Sequence, residues 1–193
     1  KRALALALAT LAFSLQPATE PSIRAASGGV PQTSAIRLPA VQIITLALVF
    51  VGATFATAEV SAVAITKDLG QPNAASLVIG VYGVGSFIVG LLLGAINPSM
   101  PLQKQMMIAV TVLGLTALPL PFAGTVPVLA VALFISGIAI SPTFITAFGL
   151  VERRVPAAML TEGVTWVTTG IGIGMALGAF VARWAVDTFG THT

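Results

Sequence analysis

The run NAASLVIGVYGVGSFIVGLLLGAI, residues 73–96, decides the class of fold, because it carries no charged residue from end to end. A helix rises 1.5 Å per residue, so about 20 apolar residues span the roughly 30 Å of a bilayer's hydrocarbon core. Lipid offers no hydrogen-bonding partner, and only helices and closed barrels satisfy their own backbone there. Barrel strands alternate apolar and polar residues over about ten positions. This run is apolar on all sides, so a membrane-crossing helix is predicted.

Working outward, the same pattern recurs at residues 38–66, 105–123, 127–150 and 161–186, giving five predicted spans. Short breaks rich in Gly, Pro and Asn separate them, as helix ends require. Composition agrees. Hydrophobic residues make up 56% of 193, charged residues 8%, and mean hydropathy is +1.02. A soluble domain carries about 25% charge, so these charges are too few to cover a water-soluble globule. The predicted fold class is all-α, a polytopic transmembrane bundle of five full spans plus a truncated apolar helix at the N-terminus.

Three regions follow. Residues 1–15 open with Lys1-Arg2 and continue apolar, which fits a signal peptide or the end of a cut membrane helix; with no small-x-small cleavage site nearby, the cut helix is the expectation. Residues 16–37 are rich in Pro, Ser, Gly, Thr and Ala and form a predicted flexible linker. Residues 38–193 form a partial bundle, and the chain reads as a fragment.

Net charge is +3 and the pI near 10. The basic residues are scattered at span ends rather than set in a stripe with aromatics, so they point to topology and not to nucleic acid. With the linker in the cytoplasm, Arg24, Arg37, Lys104, Arg153 and Arg154 lie inside and only Lys67 lies in an outside loop, as the positive-inside rule demands. Arg183 then lies near the outer end of the last span, with Asp187 one turn on as a partner. There is no cysteine, and the single histidine, His192, stands near the end of the chain. Neither a metal site nor a cofactor is expected. A phosphate-binding loop is missing too, as is a nucleophile with an embedded base, so no enzyme is expected.

A few polar residues stand out. Glu59 is the one carboxylate well inside an apolar run, about 10 Å from the midplane by helix rise. A charge at that depth is costly unless paired, protonated or wetted. It is either a proton-coupling group in an aqueous cavity or an anchor paired with Lys67, two turns on. Thr54, Thr57 and Ser61 lie on the opposite face of that helix. In the fourth span, Ser136, Gly137, Ser141, Pro142, Thr143 and Thr146 make a polar, Pro-broken stretch that either lines a cavity or simply kinks. Hydroxyls in membrane helices often bond their own backbone, which weakens each threonine as a site residue.

Small residues form two stripes. Ser76, Gly80, Gly83, Gly90 and Gly94 share one face of the second span, and Gly163, Gly170, Gly174 and Gly178 one face of the fifth. Such stripes let helices approach closely, either within this bundle or against another. Glu162, in the first turn of the fifth span, suits the helix dipole or pairs with Arg153 or Arg154. Trp166 and Trp184 suit the interfaces.

GATFATAE at residues 52–59, GIAISP at 137–142, and VP at 155–156 followed by TEGVTWVTTG at 161–170 together resemble the carboxy-terminal half of the major facilitator superfamily, from the end of its sixth helix through its eleventh. The nearest flavour is that of bacterial drug or sugar efflux permeases. The basic motif usual between the family's eighth and ninth helices is reduced here, lacking its Asp-Arg core. The resemblance implies alternating access by two rocking halves around a midplane site. It implies a substrate or proton pathway through Glu59, Thr54, Thr57, Ser141 and Thr146, and a cytoplasmic gate at Arg153, Arg154 and Glu162. It also implies interhelix packing at Gly80, Gly83, Gly90, Gly94, Gly170, Gly174 and Gly178 against a missing amino-terminal half. The expected partners are the lipid bilayer, that missing half, a small-molecule substrate and protons. The expected location is the bacterial inner membrane. The activity implied is proton-coupled efflux, with sugar or metabolite uptake and a non-transporting scaffold as alternatives.

Overall fold

The computed structural model describes residues 33–96, 100–118, 120 and 123–189. The N-terminal apolar stretch and most of the predicted linker lie outside the described residues. The last part of that linker, Ala35–Arg37, is a single 3-10 turn with Ala35 buried.

Six helices follow: α1 (Pro39–Asp68), α2 (Ala74–Ala95), α3 (Leu102–Ala117), α4 (Val126–Ile138), α5 (Ile140–Arg154) and α6 (Leu160–Phe189). No strand occurs among the described residues. α1 starts on Pro39, whose missing N–H costs nothing in a first turn. It stops at Gly70, which adopts φ +70. There Gln71 N–H donates to the Thr66 carbonyl at 2.9 Å and Gly70 N–H to that of Lys67 at 3.0 Å, a Schellman closure that needs the left-handed residue.

The fourth predicted span is one rod with a break. Pro142 has no N–H, and its ring crowds the carbonyl four residues earlier, which belongs to Ile138. α4 ends at that residue, Ala139 turns, and α5 resumes. Thr143 heals the step by donating its hydroxyl to the Ala139 carbonyl at 2.7 Å.

Among the described residues, four helical stretches are long and apolar enough to cross a membrane: Pro39–Asp68, Ala74–Ala95, Val126–Arg154 and Ala157–Thr188. The third expected span, 105–123, is not among them. It forms α3, only 16 residues long, short of the roughly 20 a crossing needs. Pro119 and Pro121 follow it in sequence and cannot continue the hydrogen-bond ladder.

The rods pair chiefly as α1 with α6, α2 with α4, and α3 with α5. Leu48, Val51, Val78, Leu113, Leu129, Leu133, Val151 and Val167 fill the centre. Outside, the surface is apolar: Leu46, Phe87, Met107 and Phe180 are each well over half exposed. Within the best membrane-crossing window of the α2 stretch only 17% of the residues are buried. Water would penalise such a surface, and hydrocarbon accepts it. The chain is an integral membrane protein.

Candidate transport site

The two glycine stripes meet different fates. The α6 stripe packs inside the bundle. A Cβ added at Gly174 would lie 2.0 Å from the Val49 carbonyl oxygen, one at Gly178 2.3 Å from that of Ala53, and one at Gly170 2.9 Å from that of Thr45. Gly52 answers from α1, where a Cβ would meet the Ile171 carbonyl at 2.3 Å. Gly170, Gly174 and Gly178 are therefore engaged with α1, and the expectation that this stripe faces a second bundle is corrected. Backbone contact at this range is how lipid-embedded helices gain packing energy. On α2, by contrast, Gly80, Gly83 and Gly94 have open space where a Cβ would go, while Gly90 abuts Ser141. α2 and α4 touch instead through Gly85, which lies outside the stripe, and Gly137 of the polar stretch in the fourth span. A Cβ on them would meet the Phe134 and Tyr82 carbonyls at 2.5 and 2.2 Å.

Glu59 sits half-buried on the last third of α1. It lines a cavity of about 570 Å³ with Val60, Val63, Ala64, Lys67, Asp68 and Val186. The one ion pair among the described residues is Arg183–Asp187, at 3.8 Å and exposed. Glu59 and Lys67 thus share a cleft without pairing.

None of the other four expected pathway residues lines that cavity. Thr54 donates to the Phe50 carbonyl at 3.0 Å, and Thr146 to those of Pro142 and Thr143 at 2.7 and 3.2 Å. These hydroxyls serve their own helix, as side chains in lipid do when nothing better is near. Thr57 reaches across to the Gly178 carbonyl at 3.4 Å. Ser141 joins α5 to α2: it donates to the Ser86 carbonyl and accepts from the Ser86 hydroxyl, both at 2.8 Å.

Tyr82 and Ser86 were not legible as site residues. Tyr82, the only tyrosine in the chain, is 2% exposed, and its ring lies 5.5 Å from that of Phe55 on α1. Its place in an uncharged run was the one available signal.

At the opposite end of α1, Arg154 borders a cavity of about 560 Å³ lined mainly by Ile43, Ile44, Met106, Val110 and Leu150. This cleft is almost wholly apolar, so the polar one at Glu59 is the better candidate for chemistry. Arg153 and Arg154 are exposed in the last turn of α5, where cations suit the helix dipole. Glu162 does not pair with them. It accepts from the Ser34 hydroxyl and from Trp166 Nε1 at 3.3 Å, with the Ala35 amide alongside. The physical reason is reach: the 3-10 turn before α1 packs against the start of α6 and supplies neutral donors first.

A broken rod, glycine-mediated helix crossings and a lone intramembrane carboxylate suit a solute carrier, and comparison with known families decides which kind. Residues 43–193 match the Major Facilitator Superfamily model. The chain belongs to that superfamily. Its members are secondary transporters of small molecules, and this bundle is part of such a transporter. No curated protein and no solved structure matches the chain.

Proposed function

We propose that this chain forms part of a proton-coupled exporter of small amphipathic molecules in a bacterial inner membrane, with Glu59 as the proton-binding group. One observation carries the proposal: a carboxylate on a membrane-crossing helix lines a cavity and has no ion-pair partner among the described residues. Burying such a group without pairing is expensive, and proton relays are the usual reason a membrane protein keeps one. Thr57, two residues before Glu59 and on the opposite face of the helix, ties α1 to α6. Ser141 ties the broken rod to α2, so these two transmit movement between helices rather than coordinate a solute. Thr54 and Thr146 act as internal staples of their own helices.

The open face at Gly80, Gly83 and Gly94 is where a sister bundle rocks against this one. Arg153 and Arg154 mark the cytoplasmic end, and Glu162 holds the entering chain against α6 as part of the gate there.

The test is Glu59→Gln in the full-length transporter, reconstituted in liposomes and challenged with a panel of amphipathic cations and sugars. Loss of solute-driven proton flux, with insertion unchanged, supports the proposal. Flux that survives the substitution removes Glu59 from the mechanism. Proton flux driven by sugars and not by amphipathic cations turns the assignment to uptake, and the absence of any solute-driven flux in the wild type leaves a scaffold.

A further inference from the structure

Two buried hydroxyls at the α2–α4 crossing lie near one another, and neither has a partner of normal hydrogen-bond geometry. Tyr82 is 2% exposed and Ser136 fully buried. The two side chains are close enough to interact, but the contact does not meet the geometry of a hydrogen bond, and no other described residue supplies one. A buried hydroxyl left unsatisfied costs about 1–3 kcal/mol, and native proteins rarely tolerate one without a reason. Two together are a stronger signal than either alone.

The backbone explains why neither can escape. Gly137 presses so closely on the Tyr82 carbonyl that a Cβ there would lie 2.2 Å away, so the helices cannot draw nearer to improve the geometry of the pair. Ser136 also declines the usual remedy. Thr54, Thr66, Thr143 and Thr146 all donate to the carbonyl four residues back, and Ser136 does not. On its other side, the Tyr82 ring rests on Phe55, one turn before Glu59 on the same helix. The Glu59 carboxylate lies within electrostatic range of the Tyr82 hydroxyl.

We infer that Tyr82 and Ser136 hold a water molecule between them, and that this water extends the Glu59 site into the α2–α4 crossing. The inference rests on Glu59 being the proton-binding group. A water has two donors and two acceptors, so it satisfies both hydroxyls and keeps a bond to spare, as buried waters with about three partners do. Held there, it orients the Tyr82 O–H toward the carboxylate. Tyr82 is a positioning residue, and the transported proton stays on Glu59 or leaves through the cleft it shares with Lys67 and Asp68. The site also lies beside the Ala139 break, so a water there responds to bending of the α4–α5 rod.

Radiolytic labelling of the full-length transporter tests this directly, because bound water generates hydroxyl radicals in place and mass spectrometry reads the oxidised side chain. Tyr82 is expected to label as fast as an exposed tyrosine despite its burial, and Ser136→Ala is expected to slow it severalfold. In the proton-flux assay, Tyr82→Phe and Ser136→Ala are each expected to lower flux, and the double substitution no further, since both act through one water. An unlabelled Tyr82 overturns the inference. Flux untouched by both substitutions, where Glu59→Gln abolishes it, overturns the link to Glu59. Should Glu59→Gln leave flux intact, the Glu59 assignment itself fails, and labelling of Tyr82 still decides for or against the water.

Discussion

Gly174 marks the closest contact of the α1–α6 crossing, since an added methyl would stand 2.0 Å from a backbone oxygen of Val49. Backbone cannot step aside as a side-chain tip can, so Gly174→Ala is expected to destabilise by about 1–3 kcal/mol, the range of core overpacking. Gly83→Ala should stabilise the isolated chain by up to about 1 kcal/mol, since the position opens on empty space and alanine is the better helix former. Thermal unfolding in detergent, run on both variants, checks the contrast. The paired hydroxyls of Ser86 and Ser141 call for a different measurement. A double-mutant cycle with alanine is expected to return a coupling of about 0.6–1.7 kcal/mol, as for other interhelical bonds in membranes. Sequence pattern found the α6 stripe and Glu59 because small size and isolated charge are visible in one dimension. Helical phase placed Thr54 opposite Glu59, and only the family resemblance joined Thr54 and Thr146 to its pathway; the structure shows both hydroxyls bonding their own helix, a partner that one-dimensional phase does not reveal. Ser86 and Tyr82 stayed hidden for the same reason: their roles come from α4 and α5, far along the chain.

The broken rod of α4 and α5 shows how much an element owes to one residue. Pro142 removes a donor and crowds Ile138, and the break falls on the residue between the two helices, Ala139. Pro142→Ala is expected to join the helices and stabilise the bundle, by up to about 3 kcal/mol if nothing else changes. If bending of this rod serves transport, the same variant will move solute more slowly while unfolding at a higher temperature. A parallel rise in both stability and transport rate would show the break to be a packing accident. The kink itself was legible, since a proline acts on its carbonyl four residues back wherever it stands in a helix. The length of α3 was harder to read. Residues 105–123 are apolar enough for a full span, while the helix described there, α3, runs for 16 residues.

At the scale of the whole molecule, the bundle is turned outward compared with a soluble protein. Its largest apolar side chains divide between a narrow centre and a broad exposed belt, and the belt is what lipid solvates. This inverts the usual consequence of surface substitution. Ile173 is 50% exposed and lies near the middle of the Ala157–Thr188 span. In a soluble protein, replacing such a residue by arginine changes stability little. Here the guanidinium would lie at the bilayer centre, where insertion scales charge about 2.5–3.5 kcal/mol. Ile173→Arg is therefore expected to lower membrane insertion of this segment by about sixty- to three-hundredfold, since 1.4 kcal/mol is a factor of ten. A glycosylation-mapped insertion assay measures it, with Ile173→Leu as the control that should insert like the wild type. Insertion of the arginine variant at the wild-type level would mean that this face meets water or protein, and the lipid-facing assignment of α6 would have to be withdrawn.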